Sequence, residues 1–278
     1  MYKRNCELKS GIVFPEGMSR IALGIEYNGA GFSGFQKQLT AANTVQSSLE
    51  MALSKIANEE ISLICAGRTD AGVHATEQVV HFDTAAIRLD RAWVQGANTQ
   101  LPDEVRVHWA KPVAPEFHAR FSAMSRTYRY VAYCGEVRPA SLNKQVTWTK
   151  YDLDQEKMQS AARFLEGEHD FSSFRASQCQ AKSPIRRIEH INFFQKNRLL
   201  VMEVKANAFL HHMVRNIVGV LMEVGRGAKS STWPLEILQL KDRTKAAATA
   251  SPSGLYLVKV EYPLSFNLPR HPVGPMYL

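Results

Sequence analysis

The apolar positions of this chain change period several times, and each change marks an element. In "RIALGIEY" the residues Ile21, Leu23, Ile25 and Tyr27 alternate, the pattern of a strand with one buried face. The turn dipeptide Asn28-Gly29 and a glycine-rich loop follow. From Thr44 the period lengthens: Val45, Leu49, Ala52, Leu53 and Ile56 share a stripe, which predicts a helix capped by the Thr44 hydroxyl. "ISLICAG" and "QVVHFDT" read as strands. Between them lies "AGRTDAGVHA", Ala66 to Ala75, so Asp70 is expected on a loop leaving a strand. A short helix at 90–97 and strands at "VRVHWAK" and "RTYRYVAY" complete this half.

Residues 135–151, with Gly135, Pro139 and mixed polar residues, read as a connection. Beyond it the periods predict a helix at "DQEKMQSAARFL", a hairpin from "IRRIEHINFF" to "LLVMEVKAN", an apolar helix "FLHHMVRNIVGVLMEVG", a short helix after Pro234 and a strand "LYLVKV". The two halves resemble each other loosely. The expected fold is therefore α+β, with similar lobes at 20–134 and 152–278, each a mainly antiparallel sheet flanked by helices, and a cleft between them. Residues 1–19 show no period and read as an N-terminal extension, either disordered or, with Met18 near its end, a misassigned start.

Composition narrows the picture. At 278 residues and 45% hydrophobic content, the chain can bury a sizeable core. No apolar run approaches the roughly 18–20 residues that cross a bilayer, and no secretory signal opens the chain, so a cytoplasmic protein is expected. Lys and Arg outnumber Asp and Glu by 34 to 26, a formal charge of +8 that attracts a polyanion such as nucleic acid and equally suits a merely basic enzyme. Cys6, Cys65, Cys134 and Cys179 stand far apart, with neither a C-x-x-C pair nor zinc spacing. Neither a disulfide framework nor a metal site is predicted.

Four stretches carry candidate chemistry. "GAGFSG", Gly29 to Gly34, spells a dinucleotide fingerprint after a strand, but the next helix waits until Thr44, so the dehydrogenase reading is set aside. Asp70 in a turn would ordinarily cap backbone amides; Gly67 and Gly72, which allow close approach, and Arg68, two residues away on the same side, point instead to chemistry. His74 reads as a loop histidine satisfied by backbone. "FHARFSAMSRTYRYVAY" interleaves Arg120, Arg126 and Arg129 with Phe121, Tyr128, Tyr130 and Tyr133, cations for phosphates and rings for stacking on RNA; Tyr130 and Tyr133 read as core, and Tyr128 as either. Arg215 interrupts an apolar helix and must reach the surface or a carboxylate. His211 and His212 lack the i, i+4 spacing of helical metal ligands, so packing or backbone contact is expected of them.

Taken in order, "YNGAGFSGFQKQ", "CAGRTDAGVHA", "FHARFSA", "RTYRY", "DFSSFRA" and "NAFLHHMVRNIVG" resemble the tRNA pseudouridine synthase A family from about Ile21 to Tyr262. Asn28 stands where the family often has Asp, and Phe35 where Trp is usual, both off the chemistry. The resemblance implies two α+β lobes around a basic cleft, a homodimer without cofactor or metal, and uridines at positions 38 to 40 of the tRNA anticodon stem-loop as substrates. It makes Asp70 the catalytic aspartate, with Arg68 replacing the flipped base, Tyr128 stacked on the uracil and Arg215 paired with Asp70. RNA contacts are implied at Arg88, at Phe117, His118, Ala119, Arg120 and Phe121, and at Gln178, Cys179, Gln180, Ala181 and Lys182. The alternative from another class is an RNA-binding protein that has lost turnover, against which the presence of Asp70, Arg68, Tyr128 and Arg215 counts.

Overall fold

The computed structural model of the chain describes residues 17–38, 43–270 and 273–278, so the extension expected at 1–19 lies mostly outside the described residues. Strand β1 (Ser19–Tyr27) carries the alternating stripe, and α1 (Val45–Ala57) starts where Thr44 Oγ1 accepts from the Ser47 amide. Strand β2 (Ile64–Cys65) is shorter than expected, whereas β3 (His74–Thr84) begins four residues earlier, at His74. Helix α2 (Asp90–Gln100) and strands β4 (Val105–Val113) and β5 (Ser125–Cys134) complete the first half.

In the second half, β6 (Thr147–Thr149) lies inside the stretch read as a connection, because it pairs beside β5 rather than burying a stripe of its own. Helix α3 (Gln155–Ala162), strands β7 (Gly167–Asp170), β8 (Ile185–Lys196) and β9 (Leu199–Ala206), helices α4 (Met213–Gly225) and α5 (Trp233–Leu240), and strand β10 (Leu255–Glu261) follow. Helix α4 starts at Met213, later than the apolar pattern suggests, with His212 at a positive φ of 61° before it.

The sheet runs β4-β1-β3-β10-β5-β9-β8-β7, with β2 added on β3 and β6 on β5. It is mainly antiparallel, as expected for this fold class. The strands do not separate at 135–151: β5, from before that stretch, lies between β9 and β10, both from after it. One sheet therefore spans both halves of the chain.

The junction of β3 with β10 is parallel, with His74 opposite Tyr256 and Ala75 opposite Leu257. Two strands that run the same way are entered from the same end. The loop 66–73 ahead of β3 and the loop 247–254 ahead of β10 therefore lie side by side. Strand β5 buries both of its faces, Tyr128 and Tyr130 in the main core and Val131 in a smaller cluster with Val146, Val201, Tyr256 and Val258.

Candidate active site

The Asp70 loop is held by backbone contacts that glycine alone permits. The Phe35 amide donates to Thr69 O at 3.0 Å, and the Tyr27 and Thr69 hydroxyls share a hydrogen bond of 2.8 Å. A Cβ on Gly29 would stand 1.9 Å from Val73 O, and one on Gly34, at φ +100°, would stand 3.0 Å from Thr69 O. Gly29 and Gly34 of "GAGFSG" therefore seat the 69–73 backbone, and no α-helix opens within the motif. Asn28 Oδ1 accepts from the Ala30 amide and Phe35 is buried, so both departures from the family pattern act locally.

His74 fits the backbone-satisfied reading, although it opens β3 rather than lying on a loop. Its Nδ1 accepts from the Gly29 amide at 3.1 Å, which leaves Nε2 to donate toward Lys144 O at 2.9 Å and Ser253 O at 3.2 Å. Burial pushes its pKa down and keeps the ring neutral. It ties the Asp70 loop to the 247–254 loop across the parallel junction.

Arg215 reaches from α4 into the same place. Its Nη1 donates to Asp70 Oδ2 at 2.9 Å while its Nε donates to Ala250 O at 2.8 Å. The 247–250 segment is itself pinned to α4. The Asn216 Oδ1 accepts from Thr249 Oγ1 and from Arg243, whose other arm holds Ala247 O. Against Gly219 the segment comes so close that a Cβ would meet Ala248 O at 2.2 Å.

His211 and His212 correct the expectation of packing or backbone contact. Because the helix has not yet begun at these residues, helical spacing does not govern them; His211 Nε2 stands 3.3 Å from Asp70 Oδ1 and His212 Nε2 3.3 Å from Oδ2. Burial is the main cause that depresses the His212 pKa, with His211 and Arg215 adding to it and Asp70 opposing it.

Arg126 is a second correction, for it is no phosphate cation. It is buried, its Nη1 donating to Ala123 O and Asn207 O and its Nη2 to Ala66 O and Arg120 O. One guanidinium thus gathers the strand entering the Asp70 loop, the 117–123 segment and the segment leading to His211. Arg129 is also engaged, with Glu203 and Gly274 O. Tyr130 is core, donating to Ser251 O, whereas Tyr133 is only half-buried.

Tyr128 is buried, edge-on to Phe209 at 5.1 Å between centroids, and its hydroxyl lies 3.6 Å from where a Gly67 Cβ would be. Burial raises its pKa, and the Asp70 charge adds to the rise. Arg68 is exposed, two residues from Asp70. Of the implied RNA contacts, Arg88, Arg120, Phe121, Gln178, Gln180 and Lys182 are exposed, and His118, Cys179 and Ala181 are half-buried. Phe117 and Ala119 are fully buried, so they offer no side chain to a ligand; Phe117 packs on Tyr262 and Phe266, and Ala119 is bonded at both ends of its peptide. The 178–182 loop is tied to the site by the Ala176 amide donating to His211 O.

Sequence reasoning missed Asn216 and Arg243, took Arg126 for a phosphate cation, and expected only packing or backbone contact of His211 and His212. Their local signal was a polar residue in an apolar or aromatic setting, which says that a partner exists and not which one. Among the described residues, no helix is long and apolar enough to cross a membrane.

The chain is 55% identical to the tRNA pseudouridine synthase A of Mannheimia succiniciproducens over 259 residues, covering 93% of this chain and 98% of that one. It is 53% identical to that of Pseudomonas aeruginosa over 262 residues, 94% and 92% of the two chains. For Cronobacter sakazakii the identity is 56% over 259 residues, 93% and 96%. A chain of a solved Cbf5-Nop10-Gar1 complex is a remote likeness, 13% identical at a TM-score of 0.37 over 85% of this chain and 48% of that one. The profile described as tRNA pseudouridine synthase matches residues 24–122, which contain Asp70, and 161–263, which contain Arg215, and by this match and these relatives the chain belongs to the tRNA pseudouridine synthase family.

Proposed function

We propose that the protein isomerises uridine to pseudouridine at positions 38, 39 and 40 of the tRNA anticodon stem-loop, with Asp70 as the catalytic group. Family membership supports the reaction. The observation that carries the site is the Asp70 carboxylate, part exposed and oriented by Arg215.

The reaction breaks the bond from N1 to C1′, turns the ring, and joins C5 to C1′; the C5 proton is lost and N1 gains one. No oxidation and no net water are involved, so a placed carboxylate suffices. Two routes are open to Asp70, attack on C1′ and removal of a ribose proton to give a glycal. Arg215, anchored on Ala250 O, holds the carboxylate in one orientation for either route. A stacked uridine must first leave the helix, and Arg68, exposed beside Asp70, fills the gap while the Tyr128 ring stacks on the flipped base. Exposed Arg120, Phe121 and Lys182 supply cations and a ring for the stem-loop. The same reading takes the protein as a cytoplasmic homodimer.

The test is Asp70→Asn on unmodified tRNA, with pseudouridine mapped by position. Turnover at 38 to 40 should vanish while tRNA affinity survives, since affinity comes mainly from Lys and Arg on phosphates. Near-normal turnover would remove Asp70 from the chemistry, and product elsewhere would overturn the positions.

A further inference from the structure

Asp70, His211 and His212 gather their ligand atoms within 4.8 Å of one another. Arg215 hydrogen-bonds the carboxylate, but the two imidazole nitrogens stand 3.3 Å from its oxygens without forming such bonds. That spacing has a meaning of its own. In a tetrahedral zinc site with bonds of about 2.0–2.1 Å, neighbouring ligand atoms lie about 3.3–3.4 Å apart. Each imidazole thus stands at that edge length from one carboxylate oxygen, His211 from Oδ1 and His212 from Oδ2, so the site closes when the carboxylate turns a single oxygen to the ion and both rings move onto it.

The remaining conditions for a site are met as well. All three side chains are reachable from solvent, at 21% exposure for Asp70, 41% for His211 and 30% for His212, which gives an ion an entry path. The carboxylate is oriented by Arg215, and Arg215 by Ala250 O. Three protein ligands with an open fourth position match the open rather than the closed class of zinc site. The Arg215 charge beside Oδ2 opposes a cation, which makes binding reversible rather than structural.

We infer that Asp70, His211 and His212 form a binding site for a borderline divalent cation such as Zn2+, and that occupancy of this site stops the isomerisation by engaging Asp70. The metal is an inhibitor here. Binding stands on the geometry alone; the inhibition rests on the role proposed for Asp70.

The experiment is titration of Co2+ into the full-length protein, read by the intense visible bands of tetrahedral Co2+, with displacement by Zn2+. One equivalent should saturate the spectrum of the wild type. His211→Ala and His212→Ala should each lose affinity by more than the roughly 10–100-fold that loss of an outer hydrogen-bond partner costs. Thermal melts of both variants confirm folding, and Zn2+ should raise the melting temperature of the wild type alone. No tetrahedral band, or a band of unchanged affinity in both variants, overturns the site. In the wild type, saturating Zn2+ should bring pseudouridine formation to background, with full recovery on adding a chelator. A rate unaffected by Zn2+ at saturation overturns the inhibition. A protein inactive on tRNA without any metal would fail the functional reading and leave the spectroscopic result standing.

Discussion

Arg215 Nη1 lies 2.9 Å from Asp70 Oδ2, although 145 positions of chain separate them. The guanidinium divides its donors between that carboxylate and Ala250 O, so it fixes the aspartate and the loop beside it together. Arg215→Met keeps much of the stem and loses both bonds. Activity should fall by at least about 100-fold, a loss of roughly 3 kcal/mol in transition-state stabilisation. Arg215→Lys should recover little, because one ammonium lacks the planar fork. Single-turnover rates on one tRNA check both; a Lys variant at wild-type rate would show that charge alone matters.

Arg68 is exposed beside Asp70, and among the described residues its side chain makes no hydrogen bond or ion pair. Arg68→Ala should slow turnover severely on an intact stem-loop and much less when the target uridine is mismatched and already unstacked. Equal losses on the two substrates would remove the wedge role.

Arg126 is the hub that brings three segments together through four carbonyls. Arg126→Met leaves buried acceptors unpaired and should cost about 3–5 kcal/mol of stability. Denaturant unfolding measures it, and a loss below about 1 kcal/mol would show that the segments hold themselves.

Gly29 and Gly31 make a paired control. A Cβ at Gly29 collides with Val73 O, whereas at Gly31 nothing lies within 4 Å. Gly29→Ala should displace the Asp70 loop and lower activity by about tenfold or more. Gly31→Ala should be near neutral in both stability and rate.

His81 gives the fold an acid-sensitive point. Burial, aided by Arg20 and His118 and opposed by Asp83, brings its pKa down from 6.5 to about 4, and its neutral Nδ1 accepts from the Ala119 amide. The folded value lies below the unfolded one, so the neutral ring contributes its full stability above pH 6.5. That contribution, about 3 kcal/mol, disappears as pH falls from 6.5 through 4. Melting temperatures of wild type and His81→Asn across this window test it. The variant should start lower and fall less steeply; parallel curves would assign the acid sensitivity elsewhere.

The sequence by itself determined the elements that bury a stripe. The alternation at 21–27 and the stripe from Val45 to Ile56 match β1 and α1, because a one-sided apolar pattern has a single period that buries it. It also determined that Asp70 lies in a turn next to a strand, because glycines and polar residues interrupt two apolar runs there, and that Arg215 needs a partner, because a cation on an apolar helix is costly without one. Short strands such as β6 and β7 carry too few residues to show a period, and they exist because longer strands pair with them.

Only the tertiary structure decided which groups meet. The parallel pairing of β3 with β10 puts two loops at one end of a sheet, and so puts Ala250 beside Asp70 and gives Arg215 both of its acceptors. The late start of α4 turns His211 and His212 toward the carboxylate, where helical spacing would have spread them around an axis. Arg126 looks in the sequence like one more cation among tyrosines, and burial against four carbonyls makes it a structural post. Side-chain period is a local property of the chain, whereas the partner of a buried charge is fixed by strand order and register, which depend on contacts across the whole molecule.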